Sequence, residues 1–166
     1  MNFVQSRMVI SAEAVKTVDS VPMYNVGTEI AVAENLAAQA TVYKYVKAAV
    51  KLAKYAPCVL EQKADGIGAV APATSTVAKI VGIPQVEIPA GSYGFVAIEG
   101  PCVAATGTQA AGDTLKVLNG GTTLVVDGTS GTPVETAGTV AVSVIAPEGG
   151  NAKVALLGKR VTIAAS

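Results

Sequence analysis

The chain has 166 residues, with twelve basic and twelve acidic side chains and no formal net charge. That length fits one domain with room for an extended arm, and a domain near this size buries about 70% of its unfolded surface, so it folds without disulfides or metal. The neutral balance argues against a dedicated nucleic-acid binder, the lack of any apolar run of about 18 residues argues against a membrane-spanning helix, and the lack of histidine removes Ser-His-Asp and Cys-His relays and the commonest metal ligand.

Residues 1–25 stand apart from the rest. They hold no glycine, and their apolar residues, among them Phe3, Val4, Met8 and Ile10, follow no helical period. This stretch reads as an extended arm with one short strand at 6–11. It either frays or orders against a neighbouring subunit or partner surface. Phe3, Val4, Met8 and Ile10 are then its interface anchors. No signal-peptide pattern opens the chain, so an intracellular origin is expected.

A β pattern runs over 26–166. Residues 28–34 alternate as a strand, and 35–40 turn. Over 41–48 two templates compete. Lys44, Lys47, Lys51 and Lys54 recur at helical spacing, which would give an amphipathic helix over 42–55. The β-branched and tyrosine-rich start favours a strand at 41–48 with a loop or single helical turn through Tyr55. Five of the twelve basic residues fall between Lys44 and Lys63 and read as a solvated face, with a phosphate-binding patch as the rival.

Pro57 ends that element, and 58–62 is the next strand. Residues 63–76 form a Gly/Ala/Pro/Thr loop, whose Gly66-Ile67-Gly68 lacks the Gly-Lys-Ser/Thr of a phosphate loop. Strands follow at 77–83, 85–88 and 94–99, broken by Pro84 and turned at 89–92, and 102–105 leads into a turn at 107–113. Further strands are expected around Leu115–Leu118, Thr122–Val126, 138–145, 153–157 and Arg160–Ile163. Short strands with turns every 8–12 residues predict an all-β chain, a small β-barrel or β-sandwich.

Part of the pattern occurs twice. Residues 88–103 (IPAGSYGFVAIEGPCV) match 146–161 (APEGGNAKVALLGKRV) at one spacing: Pro89 with Pro147, Gly91 with Gly149, Val96 with Val154, Gly100 with Gly158 and Val103 with Val161. Each copy is a turn, an alternating strand, a glycine and a further short strand, so the hairpin is an internal repeat. A fainter echo links Ala56–Leu60 with Ala111–Leu115.

Groups suited to catalysis are few. Cys58 and Cys102 read as buried free thiols, with a disulfide between them as the alternative, and no base stands beside either. A carboxylate pair would have to come from Glu87 with Glu99 or Asp113 with Asp127, and solvated carboxylates explain these as well. Tyr43, Tyr45, Tyr93 and Phe95 form the aromatic cluster, in a chain with no tryptophan. Tyr93 and Phe95 share one strand face and suit a core, a subunit interface or a contact with a partner protein. No catalytic, cofactor or metal residue is assigned, and an enzyme is not expected.

Three stretches carry a resemblance: Tyr43–Ala48 leading to Ala56–Leu60, Val81–Pro84 through Gly91–Val96, and Ala110–Leu115. In this order they resemble the head decoration, or cement, proteins of tailed bacteriophages, over roughly 28–160; residues 1–25 and 63–76 do not match. The resemblance implies a β-barrel subunit, a homotrimer, on the exterior of the virion. It would bind the major capsid protein after shell expansion and hold the shell against internal pressure, with no cofactor, nucleic acid or membrane involved. A tail or baseplate component, and a carbohydrate-binding module, are the alternatives.

Overall fold

The computed structural model describes residues 11–33, 38–72, 80–131, 140–145 and 148–158. Among these residues, one 3-10 turn (Ala14–Lys16) precedes eleven strands: β1 (Val18–Asp19), β2 (Glu29–Val32), β3 (Thr41–Ala48), β4 (Cys58–Lys63), β5 (Gly66–Val70), β6 (Ile80–Pro84), β7 (Tyr93–Ala105), β8 (Thr114–Val117), β9 (Leu124–Val126), β10 (Ala141–Ser143) and β11 (Asn151–Leu157). The expected all-β class holds, and the choice between sandwich and barrel resolves as a closed five-stranded barrel with extra strands.

Closure follows from the pairings. Strand β3 lies parallel to β5, with Lys47 opposite Gly68. The β4–β5 hairpin, β4–β6 and β6–β7 are antiparallel, and β7 returns to β3 with Tyr45 opposite Phe95. A closed ring has no unpaired strand edges within it. Its interior is filled by Val46 and Ala48 from β3, Cys58 and Leu60 from β4, Ala69 from β5, Val96 and Ile98 from β7, and Ile88.

Strand β7 is 13 residues long, and its second half begins the same topology again. Thr106, just past its end, bridges in parallel to Leu124 of β9. The β8–β9 hairpin, β8–β10, β10–β11 and β11–β7 are antiparallel. Strands β3 to β7 of the first ring thus correspond one by one to β7 to β11 of the second. The correspondence reaches the side chains: Val46, Val96 and Ile98 inside the first ring stand where Ala104, Val154 and Leu156 stand inside the second. Val59, Val81, Ile83 and Ala97 of the first ring continue into the second core, so the two rings pack as one body.

Backbone conformation repeats too. The turn glycines Gly91 (φ +80°) and Gly149 (φ +61°) are both left-handed, as are the later glycines Gly100 (φ +87°) and Gly158 (φ +74°). A side chain at Gly100 would also put its Cβ 2.5 Å from the Ala40 carbonyl oxygen, so no other residue lets β7 pass beside the start of β3. The repeated hairpin is therefore a repeat of the whole five-stranded ring.

Several expectations change. The strand at 41–48 is present, and the helix over 42–55 is not: the lysine spacing is a coincidence of one strand and the turns after it. Residues 66–70, expected within a loop, form β5, because Gly66 at φ +121° closes a tight turn and lets Ile67–Val70 run back along β4. Residues 85–88 form no strand: β6 ends at Pro84, and only Ile88 is bridged, to Leu52. Residues 102–105 are no separate strand but the continuation of β7 through Gly100-Pro101, since Pro101 needs no hydrogen-bond donor where β3 has left that edge. The expected strands at 6–11 and Arg160–Ile163 lie mainly or wholly outside the described residues, as do Phe3, Val4, Met8 and Ile10.

Candidate interface surfaces

Alternation along β3 and β7 gives the first ring two apolar faces. Val46 and Val96 point into the ring, while Tyr45 and Phe95 point out, yet both are buried, at 0% and 1% exposure. Their cover comes from residues 15–30. Val15 and Ile30 complete a small core with Tyr45 and Phe95, and Tyr24 and Val26 pack at its margin. The Tyr24 ring meets Tyr45 edge-on at 5.2 Å between centroids, and the Tyr45 and Phe95 rings are 4.9 Å apart. Such aromatic pairs add about 0.5–1.5 kcal/mol each beyond the area they bury.

A polar bolt fastens the cover. The Tyr45 hydroxyl donates to Asp19 Oδ2 at 2.6 Å and accepts from the Met23 backbone N–H at 3.2 Å. Burial, and then the hydrogen bond to Asp19, push the Tyr45 phenol up to about 12. Strand β1 adds two residues to the edge of β7, with Val18 opposite Gly94. Residues 11–25, the second part of the expected arm, are thus seated on the barrel. The cover leaves Val21 and Met23 turned outward, at 64% and 67% exposure.

Of the two interface residues on the hairpin strand, Phe95 belongs to this small core and Tyr93 is half-buried at its edge. Lys47 Nζ lies 5.9 Å from the Tyr93 ring centroid and 3.2 Å from Asp65 Oδ2. The hydrogen bond to Asp65 holds Lys47 above its ordinary range, and the same bond holds the Asp65 carboxyl below its own.

The remaining lysines of the basic stretch are also engaged. Lys44, largely buried, meets Glu29 Oε1 at 2.8 Å on the strand opposite; Lys51 meets Glu87 at 3.1 Å and Lys63 meets Glu61 at 2.7 Å. Lys54 stands over the Tyr55 ring at 4.7 Å. Four of the five lysines thus form ion pairs along a strand and its turns, and the buried Lys44 departs from the solvated-face reading.

Of the two carboxylate pairs, Asp113 and Asp127 lie at the same end of the β8–β9 hairpin, where the Asp127 N–H donates to the Thr114 carbonyl at 2.9 Å, whereas Glu87 and Glu99 do not converge. The β6–β7 register, with Ile83 opposite Ala97, sets Glu99 far along the hairpin from Glu87, which Lys51 holds. Asp113 accepts from the Ala110 backbone N–H at 2.7 Å and shapes the turn before β8. Cys58 and Cys102 are free and buried, each in a different core, so the disulfide alternative is excluded. Burial pushes both thiols up to about 12. Among the described residues, no cluster of three or more Cys, Asp or Glu is arranged to hold a metal ion.

No protein-family model matches this chain, and no curated protein does. It is similar to the crystal structure of the head fiber gp8.5 N base in bacteriophage phi29. The identity is 14% and the TM-score 0.48, over 73% of this chain and 98% of that one. At that level of similarity the fiber base lends no weight to a function.

The sequence pointed to Tyr93 and Phe95 but not to what covers them. Val15, Asp19 and Tyr24 lie in a stretch without periodicity, and their role is visible only once β7 is formed. The one available signal was the alternating tyrosines of β3, a pattern that needs a cover on both faces.

Proposed function

We propose that this chain is a structural virion protein that binds the outside of a phage capsid and stabilises the shell after expansion, acting as a homotrimer on the major capsid protein without catalysis or a cofactor. One observation carries the reading. The three stretches that resemble phage decoration proteins are dispersed in sequence, yet they map to β3 with the start of β4, to β6 with the start of β7, and to the turn before β8. The first two supply four of the five strands of one closed ring, and the third opens the next. The likeness therefore follows a folded unit and its exit rather than scattered strand-like residues.

The chemistry of the barrel fits a static role. Its two thiols are buried and pushed above their ordinary range, four of the five lysines of its basic stretch are paired with carboxylates, and its core is mostly aliphatic. Val21 and Met23, outward on the cover, and Phe3, Val4, Met8 and Ile10 before it supply apolar side chains for a partner. Burying one such side chain contributes about 1.5–3 kcal/mol, and many copies on one shell multiply the effect by avidity.

The test is quantitative mass spectrometry of purified particles of the virus that encodes the chain. Copy numbers near those of the major capsid protein support the decoration role. A handful of copies per particle moves the chain to the tail or baseplate, and absence from particles refutes a virion role.

A further inference from the structure

The repeat supplies an internal comparison. On the outside of the first ring, Tyr45 stands opposite Phe95 and residues 15–30 lie over both. The same position on the second ring is Val103 opposite Lys153, on β7 and β11. Both substitutions replace a ring with something smaller or polar, and among the described residues no segment corresponds to the cover. In its place is a groove of about 510 Å³, floored by Pro101, Val103 and Ala155 and walled by Val15, Tyr43 and Val144.

Two features of the groove restrict what it accepts. Among the described residues, its charged lining is Lys16 and Lys153, with no carboxylate. Lys16 lies 3.6 Å from the exposed Glu13, and Lys153 has no ion-pair partner among the described residues. Moreover, the β7 backbone here is already satisfied. The Thr41 hydroxyl donates to the Pro101 carbonyl, and the Gln85 side-chain amide donates to the Val103 carbonyl at 3.0 Å and accepts from its N–H at 3.3 Å. A ligand cannot join β7 as a further strand at that point, so it is recognised by its side chains.

We propose that this groove docks an extended segment of another protein whose bulky apolar side chains fill the floor and whose carboxylates meet Lys16 and Lys153. The first ring shows the apolar half of the recognition, because its equivalent face is filled by Val15, Tyr24 and Ile30. The two lysines supply the other half, since like charges across a contact exclude basic partners. The groove stands whether or not the chain is a virion protein.

The experiment is amide-shift mapping on the ¹⁵N-labelled full chain with two blocked pentapeptides, acetyl-Leu-Glu-Phe-Asp-Val-amide and acetyl-Leu-Lys-Phe-Lys-Val-amide. The acidic peptide moves the amides around Val103, Lys153 and Ala155, and the basic one does not. Lys153→Glu, on an exposed side chain, weakens the acidic peptide about fivefold and admits the basic one. Equal shifts from both peptides, or none up to about 5 mM, a limit corresponding to roughly 3 kcal/mol of binding, overturn the proposal. Groove shifts that grow with protein concentration and no peptide assign the groove to a second copy of the chain. Groove shifts on deleting residues 1–10, again with no peptide, assign it to the chain's own N-terminal segment. Either result also overturns the proposal.

Discussion

The two rings share a topology, a strand and a pattern of interior residues, yet differ on their outer faces. The first ring buries Tyr45 and Phe95 under residues 15–30, and the second presents Val103 and Lys153 to an open groove. A duplicated fold keeps its inside because interior packing is set by closure of the ring. Its outside is free to diverge, because a different segment can cover each copy. In this molecule the first ring has become the self-contained half and the second the half with unfilled surface.

The largest way to break this difference is to place a charge at the same position on each ring. Phe95→Asp leaves a carboxylate with no partner in the aromatic core and costs several kcal/mol, enough to unfold a marginal domain. Lys153→Asp, at the equivalent exposed site, changes stability by less than about 0.5 kcal/mol. Denaturant melts of both variants check this; similar losses would show that the rings are covered alike.

Next come the paired glycines. Gly100→Ala forces a Cβ onto the Ala40 backbone in addition to the left-handed strain, whereas a Cβ at Gly158 meets the movable Glu99 side chain. The strain alone costs about 1 kcal/mol, so Gly158→Ala loses about that much and Gly100→Ala clearly more. Thermal unfolding of the two variants measures the gap.

The bolt on the cover gives a smaller effect with a pH signature. Tyr45→Phe removes the bonds to Asp19 and Met23 and costs about 1–2 kcal/mol. Burial raises the phenol from its ordinary 10 to about 12, and both thiols from 9 to about 12. Groups raised in the folded state stabilise it fully below their unfolded values and lose that contribution as pH climbs through the folded ones. Stability therefore falls across pH 9 to 12, and Tyr45→Phe flattens the part above 10. Melting temperature against pH for both proteins tests the sign. The smallest effect is at the exposed pair of Lys51 and Glu87, where Lys51→Ala costs less than about 1 kcal/mol and less still in high salt.

Much of the barrel was legible because it is written locally. Alternation in TVYKYVKA predicts β3 against a competing lysine spacing, and the glycine-marked hairpins predict the repeat. What escaped was non-local. Strand β5 hides in GIGAV, whose small residues carry little strand propensity and are held by β4 and β3 on either side. Strand β7 passes through Gly100-Pro101, a pair that reads as a break until Thr41 and Gln85 are seen satisfying the edge beyond it. The cover on the first ring was illegible for the same reason: Val15 and Tyr24 acquire their role from a surface built by residues far along the chain.

Residue-resolved hydrogen exchange on the full free chain tests the unequal rings most directly. Amides of β3 and of the first half of β7, packed on both faces, should exchange slowest, and those of β8, β9 and β10 distinctly faster. Equal protection across the two rings, or slower exchange in the second, would contradict the account.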